Sequence, residues 1–155
     1  MKRATMKKEK NERGQSLVEL AVSLVLLLLL LSGAVEFGMA FFQFIQLRDA
    51  AQEGALYGSI NPNAQGPIET RARGASSSPI DLTNTSLVTI DVLARDKTTN
   101  AFKSLTSACE GDGLYVRMKY QHKIFMPFMS AALGGRTFIP LSAEVTDTIL
   151  SPVCP

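Results

Sequence analysis

The stretch RGQSLVELAVSLVLLLLLLSGAVE, Arg13 to Glu36, decides the fold of this chain. A basic residue is followed by Gly14, the polar pair Gln15 and Ser16, then Leu17, Val18 and a lone Glu19, and after that by sixteen residues without a charge. Thirteen of those sixteen, Leu20 to Val35, are Leu, Val or Ala; the exceptions Ser23, Ser32 and Gly33 are small enough for a lipid-facing or helix-facing surface. Leu17 to Val35, with Leu20, Leu24, Leu28 and Leu31 along it, spans about 28 Å as a helix, close to the roughly 30 Å hydrocarbon core of a bilayer. A buried helix in a soluble core is the rival reading, but a chain of 155 residues has no room to surround such a segment on every side. The stretch predicts a transmembrane helix.

Outward from it, charge is informative once divided. Met1 to Gly14 carries six basic residues against Glu9 and Glu12, a net of +4; the rest has ten basic against twelve acidic, a net of −2. Basic residues gathered on one side of a membrane helix stay cytoplasmic, which sends the C-terminal part outward in a single pass. The balance elsewhere leaves no nucleic-acid footprint. The basic arm itself is lysine-rich and without apolar periodicity, so residues 1–14 are expected to lack a fold. Two readings of Glu19 are open. It lies at headgroup depth or favours the helix N-terminus through the macrodipole; or the peptide is cut after Gly14, and the Glu19 carboxylate of a neighbouring subunit neutralises the ammonium freed on Gln15.

Beyond Glu36 the chain stays helix-friendly to about Tyr57, where Gly58, Asn61 and Pro62 stop it. The outer half is amphipathic: Phe37, Phe41, Phe44, Leu47 and Ala51 recur at helical spacing, and this stripe includes the spine on which an outer domain packs. A second row at steps of four, Ala34, Gly38, Phe42, Gln46, Ala50, Gly54 and Gly58, is mostly small and admits close approach by another helix or a sheet. Surface left uncovered is expected to contact other subunits. Glu36 receives no chemistry from the sequence: interfacial solvation or an intersubunit hydrogen bond would each suffice.

Residues 59–86 read as a Pro-, Gly- and Ser-rich connection with a short helix near Ile68 to Ser76. Residues 87–155 read as a β-rich domain outside the cytoplasm. Its strands are expected at Leu87 to Leu93, at Leu114 to Phe125 after the Cys109 to Gly113 turn, and from about Thr137 to Leu150; Asp96 to Ser107 reads as a loop and Phe128 to Leu133 as a helical turn. In the middle strand Leu114, Val116, Met118 and Tyr120 alternate against Tyr115, Arg117, Lys119 and Gln121, the pattern of one packed and one wet face. The fold class is α+β: a long N-terminal transmembrane and amphipathic helix laid against a small antiparallel sheet.

Cys109 and Cys154 are the only cysteines, and an even count on the outer side suggests a disulfide. Closing a loop of this length would stabilise by about 4 kcal/mol in the chain-entropy model. Two unpaired thiols are the alternative. No catalytic constellation emerges. His122 is the sole histidine, so no multi-histidine metal site can be built, and it reads as a solvated strand residue. Cys-x-x-Cys is absent, and Gly111, Gly113, Gly134 and Gly135 are turn glycines outside any phosphate motif. Glu110 and Asp112 lack the spacing of a calcium loop, and nothing selects a carboxylate pair for hydrolysis. The expectation is a protein that is no enzyme and needs no cofactor or metal.

Arg13-Gly14-Gln15-Ser16-Leu17-Val18-Glu19 ahead of a leucine-rich helix resembles the class III signal of type IV pilin-like proteins. More narrowly, Gly14 to Glu19, Val35-Glu36-Phe37-Gly38 and Glu53-Gly54-Ala55-Leu56-Tyr57 resemble, in order and spacing, TadE-like pseudopilins of tight-adherence pili. Leu20 departs from the tyrosine that many tight-adherence prepilins carry after this glutamate, which loosens the assignment to a particular peptidase. Val116, Tyr120, Pro127, Gly134, Gly135, Leu141, Ser142 and Ala143 follow the same pattern more loosely. The resemblance implies cleavage between Gly14 and Gln15 by a prepilin peptidase, and Glu19 as the residue that sets register in assembly. Helix packing through Phe37, Gly38, Phe41, Phe44 and Gly54 is expected from the two rows at helical spacing. The partners implied are pilin and pseudopilin subunits and a pilus assembly platform, in a bacterial inner membrane or in a surface pilus serving adhesion. Two alternatives stand beside it: an uncleaved membrane-anchored domain that binds an envelope partner, and a secreted domain released by signal peptidase after Ala34 in Ser32-Gly33-Ala34.

Overall fold

The structure, a computed structural model, describes residues 12–126 and 128–151, with side chains from Gly14 onward. Helix α1 runs from Glu12 to Ile60, 49 residues and about 73 Å long. It begins inside the arm expected to be without structure: Glu12 to Gly14 are helical, because once the Leu17 segment has nucleated a helix, adding a turn gains hydrogen bonds without a second nucleation cost. It also runs past Gly58. That glycine is a packing position and not a stop, since a Cβ there would come within 2.2 Å of Leu114 Cδ2 and 2.8 Å of Ile68 Cδ1. The helix closes where Asn61 N–H reaches the Tyr57 carbonyl at 3.2 Å, and Pro62 prevents a further turn.

Helix α2 (Gln65–Gly74) lies against α1, with Ala72 facing Gly54 so closely that a Cβ on Gly54 would lie 3.0 Å from the Ala72 Cβ. The sheet comprises β1 (Val88–Arg95), β2 (Phe102–Lys103), β3 (Gly113–Lys123) and β4 (Phe138–Thr148), all antiparallel, in the order β2-β1-β3-β4. A single turn, α3 (Met129–Ala132), interrupts the β3–β4 connection. The α+β architecture and its three principal strands match expectation.

Strand β2 and the 3-10 turn Leu105–Ser107 fall in the segment read as a loop. Their effect is visible on β3: Tyr115, placed on the wet face by alternation, is buried because the Phe102 ring sits on it with centroids 4.9 Å apart. Farther along that face Arg117 and Lys119 do meet water and pair with Asp91 at 2.8 and 2.9 Å. The other face, with Val88, Val92, Leu114, Val116, Met118 and Ala143, closes on Leu47, Ala50, Ala51 and Ala55 of α1 and on Ile68 and Ala72 of α2. Gln46 fixes the connection to the helix by exchanging two 2.8 Å hydrogen bonds with the backbone of Ile80.

Candidate functional site: the helix stem and its junction with the sheet

From Gly14 to Leu31 every described side chain of α1 is exposed, and none of the most apolar window of the helix is buried within the chain. Leu17, Leu20, Leu24, Leu28, Leu31 and Val35 thus form a stem with no partner of their own, long and apolar enough for a single-pass membrane anchor. Gly14 and Gln15 occupy its first turns. Glu19 stands on the same helix, exposed and without an ion pair among the described residues.

Where the stem meets the sheet, the structure brings together three polar residues from distant positions. Glu36 is 2% exposed and His122 is fully buried. His122 Nε2 meets Glu36 Oε1 at 2.7 Å, and its Nδ1 meets Gln43 Oε1 at 2.5 Å. The backbone N–H of Phe125 donates to the same carboxylate at 3.2 Å and that of Met126 at 2.8 Å. Side-chain oxygens of α1 thus face both ring nitrogens, so the imidazole is held by two residues of one helix. A buried carboxylate is tolerable only with such donors.

His122 is therefore not the solvated residue its neighbours Gln121 and Lys123 suggested. It is the next inward position after Leu114, Val116, Met118 and Tyr120, and extending that alternation one step would have found it. Glu36 is satisfied within its own chain, by His122 and two amides, rather than by interfacial water or a neighbour. Glu36 and Gln43 lie seven residues apart, two helical turns, and so share a face of α1.

The aromatic stripe divides at the same level. Leu47 and Ala51 are fully buried and Phe44 packs on the core, but Phe37 is 72% exposed and Phe41 is also open. The spine thus starts at Phe44 and not at Phe37: the sheet reaches the level of Glu36, but Phe37 and Phe41 stand about 100° and 140° around α1 from Glu36, off the face that the sheet covers. Gly54 is closely approached by α2, whereas a Cβ on Gly38 would meet nothing within 4 Å. Phe37 and Phe41 instead border an open apolar groove of about 420 Å³, completed by Gly33, Met129, Leu133 and Ile139.

At the far end of the sheet, Asp112 is committed to structure. Its carboxylate takes Lys103 Nζ at 2.7 Å and the N–H groups of Cys109 and Lys97 at 2.7 and 3.1 Å. Burial acting alone would raise the Asp112 carboxyl; the Lys103 ammonium and the two amides outweigh it and hold the group below its ordinary value. Cys109 begins this turn. Its expected disulfide partner Cys154, and Pro127 of the looser motif, lie outside the described residues.

With this geometry in place, comparison with known families bears on the stem. Residues 14–56 match the family of TadE-like protein. The match begins at the glycine of the expected cleavage site and ends inside the Glu53 to Tyr57 block, so over this stretch the chain is similar to that family, as those residues implied. It covers the stem, Glu36, Gln43 and most of the packed half of α1, and leaves the sheet outside. No curated protein and no solved structure matches the chain.

Proposed function

We propose that the chain is a prepilin-type component of a tight-adherence pilus, acting mechanically rather than catalytically in pilus assembly and surface adhesion. The observation that carries this reading is a stem similar to the TadE-like family, starting at Gly14, whose side chains to Leu31 are all exposed among the described residues. The subunit is inserted in the bacterial inner membrane with the basic arm, residues 1–14, in the cytoplasm and residues 59–155 outside. A prepilin peptidase cuts after Gly14. On extraction by the assembly platform, the surface that faced lipid is buried against the stems of neighbouring pilin and pseudopilin subunits. Glu19 sets register there by pairing with a neighbour's free Gln15 amine, because a register that buried either charge without its partner would be strongly disfavoured. The Glu36 junction ties the outer domain rigidly to the stem, so that force on one moves the other. Outside, a Cys109–Cys154 bond pins the C-terminal tail to the Asp112 turn.

N-terminal sequencing of the membrane-extracted protein tests the reading in one step. A start at Gln15 is expected; a start at Met1 would leave a static anchor, and one at Val35 a secreted domain. Gly14→Ala should accumulate the uncut precursor, and normal processing of that variant would sink the cleavage assignment. For the bridge, non-reducing mass spectrometry should find the Cys109 and Cys154 peptides linked, and two alkylatable thiols would refute it.

A further inference from the structure

The β3–β4 connection lies level with the point where α1 leaves its apolar segment. Glu36 directly follows Val35, and its carboxylate accepts from the amides of Phe125 and Met126. The connection reaches lower still. A Cβ built on Gly33 would lie 3.8 Å from Met129 Sδ, and Gly33 precedes Val35 by two residues, about 3 Å along the axis. A membrane that holds Leu17 to Val35 therefore touches this connection.

What the connection presents at that level is apolar and turned outward. Phe125, Phe128 and Leu133 are 58%, 67% and 40% exposed, beside the open groove of Phe37 and Phe41. Phe128 is held at φ 71° and ψ −24°, a left-handed conformation that costs a non-glycine residue about 1 kcal/mol or more, yet its ring gains no burial within the chain. The charge has one sign. From Gly113 to Ala143 there is no Asp or Glu, and the exposed Lys123 and Arg136 bracket the aromatic residues. Exposed Phe and Leu rimmed by Lys and Arg is the chemistry of a segment that lies in the boundary between acyl chains and anionic headgroups.

We propose that the β3–β4 connection is a membrane foot: Phe125, Phe128 and Leu133 enter the leaflet from which α1 emerges, and Lys123 and Arg136 reach its phosphates. Lipid is the occupant because the groove is continuous with the lipid-facing stem, so any second chain would first have to displace lipid. The foot holds the sheet down against the bilayer, and Glu36 is then shielded from lipid by His122 and the two amides. Leaving the membrane requires the foot to be withdrawn as well as the stem. This inference rests on the membrane reading of Leu17 to Val35 and needs neither cleavage nor pilus assembly.

The chain contains no tryptophan, so Phe128→Trp supplies a single fluorophore at an exposed position. The full chain carrying it is reconstituted at high dilution in vesicles of phosphatidylcholine and phosphatidylglycerol, with the lipids brominated either high on the acyl chain or near its end. Two further variants serve as references. Leu27→Trp reports the span, and Phe102→Trp reports the opposite end of the sheet, about 30 Å away along β3. Phe128→Trp should show blue-shifted emission and be quenched at least about threefold more by shallow bromines than Phe102→Trp, as an interfacial ring would be. Leu27→Trp should be quenched by deep bromines. If Phe128→Trp matches Phe102→Trp in emission and in acrylamide quenching while Leu27→Trp is quenched by lipid, the foot is overturned and the anchor stands. If Leu27→Trp also escapes lipid, both fall. Protection of Phe128→Trp that disappears on further dilution in lipid would show a second copy on this face, and that too overturns the proposal.

Discussion

The two halves of α1 share one helix, yet they differ in the size of their apolar side chains and in their fate. Between Leu17 and Val35 the residues are large and leucine-rich, and nearly all of them are exposed. Between Leu47 and Gly58 the inward positions are Ala50, Ala51, Gly54, Ala55 and Gly58, all buried. Small residues let α2 and β3 come close enough for their own Ile68, Ala72 and Leu114 to fill the space. Large ones on every face leave no groove for a neighbouring element of the same chain. Hydropathy separates the halves as well, since Arg48, Asp49, Gln52 and Glu53 interrupt the outer one, but it does not say what covers the apolar residues of either. The size of the side chains separates a helix that expects its own domain from one that expects lipid or another subunit.

The strongest way to break this contrast is to truncate one leucine in each half. Leu47→Ala should destabilise the outer domain by about 3 kcal/mol, since it empties a fully buried site. Leu27→Ala, on the exposed stem, should shift the same unfolding transition by less than about 0.5 kcal/mol. Denaturant unfolding in detergent micelles, followed by tyrosine near-UV circular dichroism, measures both. Equal losses would mean that the stem contributes to the domain's stability after all.

The junction comes next in size. Glu36→Ala strips the acceptor from His122 Nε2 and from the Phe125 and Met126 amides, and should cost about 2 kcal/mol. Glu36→Gln keeps an oxygen acceptor and should cost less. If the alanine variant is neutral, water replaces the carboxylate and the two halves are less firmly coupled than the geometry indicates.

Two glycines of the same helical row should then respond with opposite signs. Gly58→Ala forces Leu114 and Ile68 to move and should destabilise by about 1–2 kcal/mol. Gly38→Ala meets open space and should stabilise the helix by up to about 1 kcal/mol. Circular dichroism melts of the two variants, run side by side, decide it; a destabilising Gly38→Ala would reveal a close neighbour on that face.

Much of this architecture was legible in the sequence because it rests on local periodicity. The leucine run, the steps of four through Gly54 and Gly58, and the alternation on β3 each specify an element and its buried face. The outer limit of the aromatic stripe was not legible. Phe37 and Leu47 carry the same signal, and only the side of α1 on which the sheet lies decides which of them finds cover. Tyr115 was misplaced because a two-residue strand, Phe102–Lys103, is too short to show periodicity, yet it supplies the ring that covers the tyrosine. The Glu36, Gln43 and His122 cluster joins residues up to 86 positions apart, and pairing of that kind leaves no trace in spacing. A trace of one partner was present, since His122 continues the inward alternation. A polar residue at the end of a run of core positions calls for a buried partner of complementary charge.

Acid should produce the smallest effect and should separate the halves once more. Asp112 is held below its ordinary value in the folded protein by Lys103 and two amides, against the opposing effect of burial. The contribution of this group is complete above about pH 4, near the unfolded value, and declines as pH falls toward the folded value, because over that interval the unfolded chain binds more protons. Asp91, lowered by Lys119 and then Arg117, adds in the same direction. Hydrogen-exchange protection of the Lys97 and Cys109 amides, which donate to Asp112, should fall in this window relative to their intrinsic exchange at each pH. Lys103→Met should weaken the turn at neutral pH and flatten its acid dependence, since the ammonium is part of what lowers the carboxyl. The stem should not respond: from Leu20 to Val35 it contains no ionisable group. Helicity of the stem that fell together with the protection of these amides would show that the sheet supports the membrane segment, and the independence of the two halves would have to be abandoned.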